Sequence, residues 1–156
     1  VQILERAGFR IYLVKSVCCG RPMISKGFLD KATAKENGDA ILVTEVSPGA
    51  AQVRLETEDK HLRPGGTVSG PTMFMLADLA AYSVILAHIG RIALAVTTNL
   101  NINFLRKPVA HSPIRARASM LRIGKTSGVG EVYILSDGLE DPVAHATITY
   151  AIPAQR

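Results

Sequence analysis

The chain has 156 residues, 47% hydrophobic and 20% charged, with a net charge of +5 and a pI near 9.5. That balance describes one globular domain with a real core and excludes a disordered or repetitive chain. The basic surface suits an anionic partner, but tryptophan is absent and aromatics make up 5%, too few for the stacking platforms of a single-strand nucleic-acid binder. On composition, a phosphate-bearing small molecule is as good a partner as nucleic acid.

Residues 1–40 mix short apolar runs with the adjacent Cys18 and Cys19 and a polar stretch at 28–37. They read as an N-terminal arm ending in a short helix, set apart from a domain at 41–156. Neighbouring cysteines rarely bridge, no disulfide framework exists, and residues 1–20 lack a secretory pattern, so a cytoplasmic location is expected. Residues 41–47 and 50–57 are β-rich runs around Pro48-Gly49, a hairpin signal. A Gly/Pro loop over 61–70 follows.

The next segment, about 18 residues up to Gly90 as C-cap, is apolar apart from Asp78. It is long enough to cross a membrane, but a mid-helix aspartate costs roughly 3 kcal/mol on insertion scales. A core helix enclosed by a sheet is the expectation, with no membrane. Four strands then follow at 93–106, 114–123, 129–136 and 143–152, with turns at 124–128 and 137–142. In the first of them, alternation puts Thr97, Asn99, Asn101 and Asn103 on one face and Thr98, Leu100, Ile102 and Phe104 on the other. The order of strands and helix predicts an α+β fold, one antiparallel sheet around one central helix.

Several residues could carry chemistry. Ser69 is a good N-cap, Pro71 suits the first helical turn, and Gly70 lets a ligand approach the backbone where free N–H groups favour an anion or oxyanion. Asp78 is either a buried carboxylate satisfied by hydrogen bonds or a general base or nucleophile in an apolar site. Gly124-Lys125-Thr126 ends like a phosphate-binding P-loop, but the required first glycine is Ser119 and a strand follows, so it is a turn. Its basic neighbours Arg122 and Lys125 could still meet phosphates as charges. The four histidines show no metal-ligand spacing, so no metal is expected.

The run from His61 to Asp78, with Arg63, Gly65-Gly66 and Ser69-Gly70-Pro71, resembles the hotdog-fold acyl-CoA thioesterases of the PaaI-like group, within the 4-hydroxybenzoyl-CoA thioesterase superfamily. The strand from Ala95 through Thr97-Thr98-Asn99 to Phe104, the Arg122–Lys125 turn and the strand opening at Val143 extend the likeness over 41–156. The resemblance implies a curved sheet wrapped around a long helix, a homodimer or a dimer of dimers, and active sites at the dimer interface. It implies hydrolysis of an acyl-CoA thioester without a cofactor, since CoA is part of the substrate, and no nucleic-acid partner. By position, Asp78 is the family's helical acid and Gly70 its oxyanion glycine. Thr97, from the partner subunit, would place the attacking water, with Thr98 its neighbour, and Arg122 and Lys125 would lie near the CoA phosphates. Ser69-Gly70-Pro71 stands where many relatives have His-Gly-Gly, and Arg63 where an asparagine is common. Met73, Phe74 and Tyr82 are expected to shape the acyl pocket. The alternative is a non-catalytic acyl-CoA-binding or regulatory module on the same fold.

Overall fold

The computed structural model describes residues 41–89 and 95–153 in full and, before them, the backbone at 13–14, 23–24, 33–36 and 39–40. Strands β1 (Leu13–Val14) and β2 (Met23–Ile24) form a small antiparallel pair. The main sheet takes in β3 (Thr33–Glu36), β4 (Asp39–Ser47) and β5 (Ala50–Leu55). A short hairpin, β6 (Leu62–Arg63) and β7 (Thr67–Val68), leads into helix α1 (Gly70–Ile89). Strands β8 (Val96–Phe104), β9 (Ile114–Ile123), β10 (Ser127–Ser136) and β11 (Ala144–Ala151) complete the sheet. Its order is β3-β4-β5-β9-β10-β11-β8, and every neighbouring pair is antiparallel.

The helix expected within 28–37 is a strand over Thr33–Glu36; the rest of that 28–37 stretch lies outside the described residues, as does Gly90. Pairing with β4, from Thr33↔Leu42 to Glu36↔Asp39, overrides the helix propensity of the lysine and glutamate. The sequence does carry the signal: Asn37-Gly38 between the strands is a favoured pair for a two-residue hairpin. The turn expected at 124–128 is also shorter, because β10 begins at Ser127 and includes Gly128. The Pro48-Gly49 hairpin forms as expected, with Gly49 at φ 96, a conformation that suits glycine.

The helix is apolar on nearly all sides because the sheet curves around it. Leu76, Ala77, Ala80, Ala81, Val84 and Ile85 are fully buried against β4, β5, β9 and β10. Alanines on both sides, with Ala116, Ala118, Ala144 and Ala146 on the strands, let helix and sheet approach closely. Gly130 of β10 has no room for a side chain at all: a Cβ there would lie 2.7 Å from the Ser119 carbonyl oxygen. Although α1 has the length and hydropathy of a membrane span, 67% of that span is buried within the protein itself.

One stripe of the helix escapes this cover. Pro71, Phe74, Met75, Asp78 and Tyr82 are only partly buried or exposed, and their spacing of three or four residues puts them on one face. Beside it runs β8, the edge of the sheet, with Phe104 and Leu105 more than half exposed.

Candidate active site

The acid on that stripe is held from two strands. Thr97 Oγ1 of β8 donates to Asp78 Oδ1 at 2.6 Å, and the Tyr150 hydroxyl of β11 donates to the same oxygen at 2.7 Å. The Tyr150 hydroxyl also lies 3.1 Å from the Asp78 backbone carbonyl. Tyr150 is 2% exposed, and its ring stacks on Tyr82 with centroids 6.0 Å apart. Burial, and then the neighbouring Asp78 charge, push the Tyr150 phenol far above its ordinary value. Asp78 Oδ2 accepts no hydrogen bond among the described residues, and the residue as a whole is only partly buried.

Thr97 reaches Asp78 through a break in alternation. Asn99 pairs with Thr149, but the next pair is Thr97 with Tyr150, so Thr98 is an extra residue bulged out of β8. A bulge shifts every side chain beyond it to the opposite face. Thr97 therefore does not share a face with Asn99, Asn101 and Asn103, as simple alternation predicts. It joins Leu100, Ile102 and Phe104 on the helix side. The Thr97 that meets Asp78 also belongs to the same chain, not to a partner. Thr98 is exposed, and its hydroxyl donates to the Thr149 carbonyl at 3.2 Å.

The helix entrance is a separate construction. Ser69 Oγ accepts from the Thr72 N–H at 3.3 Å and pairs with Thr72 Oγ1 at 2.8 Å, so this hydroxyl caps the helix. Behind it, the His61 carbonyl accepts from the Ser69 N–H at 2.8 Å. Buried His61 takes the Glu58 N–H on Nδ1, which puts the ring proton on Nε2. Pro71 has no N–H, and among the described residues the bonds that close the loop and cap the helix do not use the Gly70 N–H. The Phe104 ring lies over Gly70: a Cβ on that residue would come within 3.1 Å of it.

Gly70 opens into a cleft of about 420 Å³ between the β6–β7 hairpin, the helix start and the segment after β8. Three cations, Arg63, Arg106 and Lys107, line it together with Met73, Phe104 and Leu105. Arg106 is paired with Asp141 at 2.7 Å. Arg106 and Lys107 are residues the sequence reading missed; the Arg106-Lys107-Pro108 run directly after a strand is the signal that could have found them. Arg122 and Lys125 do not line this cleft. They belong to the opposite end of the sheet, beside the cross-strand row of Ile123, Gly128, Tyr150 and Thr97. Among the described residues, no histidine, cysteine or acid cluster has metal-binding geometry.

Asp78 and Gly70 are on one helix, eight residues apart, which is about 12 Å along the axis. No single carbonyl reaches both in one chain.

One curved antiparallel sheet around a long helix, with an acid on the helix's uncovered stripe and a glycine at its start, is the architecture of a hotdog-fold protein. The thioesterase superfamily model matches residues 65–153, and the chain belongs to that family. A thioesterase-named protein of Silicibacter sp. TM1040 is 47% identical, the match covering 72% of this chain and 78% of that one at a TM-score of 0.67. PaaI, a phenylacetic acid degradation protein of Thermus thermophilus solved as a point mutant, is 26% identical over 72% of this chain and 93% of its own, TM-score 0.65. Ta0293 of Thermoplasma acidophilum, which carries an esterase name, is 28% identical over 83 residues, 53% of this chain. The match spans 61% of that relative's length.

Proposed function

We propose that this protein hydrolyses acyl-CoA thioesters in a site shared by two copies of the chain. The observation that carries the reading is Asp78, the one acid on the uncovered stripe of α1, with one oxygen unbonded and a Gly70 N–H unused at the start of the same helix, both among the described residues. The thioester carbonyl would accept the Gly70 N–H of one subunit, and the dipole of α1 would stabilise the oxyanion that develops. Asp78 of the other subunit would take a proton from water as its oxygen attacks the carbonyl carbon. The tetrahedral intermediate then collapses, the C–S bond breaks, and CoA leaves as the thiolate. In the covalent variant, Asp78 attacks directly and water hydrolyses the resulting anhydride.

The cleft at Gly70 supports this substrate class. Its apolar wall of Met73, Phe104 and Leu105 suits a pantetheine or acyl chain, while Arg63, Arg106 and Lys107 suit phosphates. In a shared site, Arg122 and Lys125 would approach from the second subunit, since they lie at the end of the sheet that carries Thr97. Met73, Phe74 and Tyr82 remain the side chains proposed to shape the acyl pocket. The reaction needs neither metal nor cofactor, and a cytoplasmic location fits its substrate.

Asp78→Asn is expected to abolish most thiol release from acyl-CoA while circular dichroism and the elution volume stay those of the wild type. Retained turnover would sink the assignment. A single turnover in H₂¹⁸O tests the covalent route: label in Asp78 requires an anhydride whose Asp78 carbonyl is attacked by water.

A further inference from the structure

We infer that Tyr150 is a positioning residue for the reaction, acting with Thr97 to claim one oxygen of Asp78 and reserve Oδ2 as the oxygen that reacts. The inference rests on the thioesterase reading of Asp78 and deepens it. Two hydroxyls, from β8 and β11, converge on Oδ1 at 2.6 and 2.7 Å. Bonds of this length to a carboxylate are charge-assisted and fix its rotation as well as its place. A single donor would leave the group free to turn and exchange its oxygens; two donors on the same oxygen from adjacent strands do not.

The chemistry on the other oxygen follows. Oδ1 is occupied by both hydroxyls, whereas Oδ2 carries no bond from the described residues and belongs to a half-buried side chain on the open stripe. Proton uptake from water, or attack on the thioester carbon, is therefore a reaction of Oδ2. Tyr150 is suited to hold this arrangement through a catalytic cycle. It is 2% exposed, its hydroxyl spans the Asp78 side chain and backbone carbonyl, and Tyr82 stacks on its ring. The buried phenol also resists ionisation, so it remains a donor beside a negative carboxylate. Thr97 is given a different task from holding water: its proton goes to Asp78, and only its lone pairs remain for other partners.

A merely structural Tyr150 would matter for stability alone, so the test reads the chemical step. Wild type, Tyr150→Phe, Thr97→Val and Thr97→Ser are compared for kcat and KM on one acyl-CoA, with unfolding followed in parallel. Tyr150→Phe and Thr97→Val are each expected to lower kcat about 10–100-fold at nearly unchanged KM, by analogy with the partners that orient metal-ligating side chains. Thr97→Ser, which keeps the hydroxyl, should recover most of the loss. Because either half of the clamp can be removed separately, the Thr97 pair decides the matter if Tyr150→Phe does not fold. Folded Tyr150→Phe with kcat within twofold of an active wild type overturns the inference and leaves the thioesterase reading standing. So does Thr97→Val that matches Thr97→Ser. An inactive wild type overturns both.

Discussion

Asp78 is tolerated in a helix otherwise without charge from Thr72 to Leu86 because its surroundings supply what burial removes. An unpaired carboxylate in an apolar environment costs several kcal/mol on the usual accounting, roughly 3 kcal/mol or more, and two hydroxyl donors offset that cost. Tyr150 carries the reciprocal signature. Its phenol is raised, so the neutral form is favoured in the fold, and the stabilisation it brings is complete below the unfolded value of about 10. As pH rises past that point, the unfolded chain releases a proton that the folded chain retains, and unfolding becomes easier. The wild type should therefore lose more of its urea midpoint between roughly pH 9 and pH 11 than Tyr150→Phe does, and its phenolate absorbance at high pH should increase on unfolding. An equal loss in both proteins would contradict the environment described for Tyr150.

Among the elements, β8 and β10 show how small departures from regularity build the site. The extra residue Thr98 turns Thr97 toward the helix, and without that bulge the hydroxyl would share the outer face with the asparagines. On β10, glycines leave space that β9 and α1 fill: a Cβ on Gly128 would lie 2.8 Å from the Ile85 methyl, and one on Gly130 would meet both the Ser119 backbone and Met120 Sδ. The two glycines at 70 and 130 make a useful contrast. Gly130→Ala drives a methyl against backbone that cannot move aside and should cost about 1–3 kcal/mol, measured as a lower urea midpoint at unchanged slope. Gly70→Ala meets only the Phe104 ring, which is 53% exposed and free to swing, so its midpoint should stay close to the wild type. Similar losses in the two variants would refute the packing argument.

For the whole molecule, the separation of Gly70 and Asp78 is the governing fact. About 12 Å of helix keeps Gly70 and Asp78 of one chain apart, so if the site is shared as proposed, a defect in either residue is complementable. Gly70→Val should be inactive because a branched side chain blocks the N–H and crowds Phe104; Asp78→Asn lacks the acid. When equal amounts are unfolded together and refolded, half the dimers should be mixed, each with one intact site, and activity should return to about a quarter of the wild type. No recovery, with mixed dimers demonstrated by mass, would place the site within one chain. In the proposed dimer, a second copy paired along the open edge of β8 would cover Phe104, Leu105 and the stripe around Phe74.

The order of strands and helix, the central helix itself and the candidate acid and glycine are legible in the sequence, because they depend on local patterns: alternation, turn residues, a capping serine and a lone charge in an apolar run. Composition and period decide such features within a few residues of chain. What the tertiary structure alone decided depends on distant pairing. The Thr33–Glu36 strand exists because β4 offers it a partner. Thr97 faces Asp78 because register slips by one residue against β11. Tyr150, buried on the last strand and reading in sequence as one more apolar position, becomes the second donor to a carboxylate 72 residues earlier. The open stripe on α1 is invisible in the pattern for a related reason: its residues are mostly as apolar as the core, so only the position of the sheet tells which side of the helix was left uncovered.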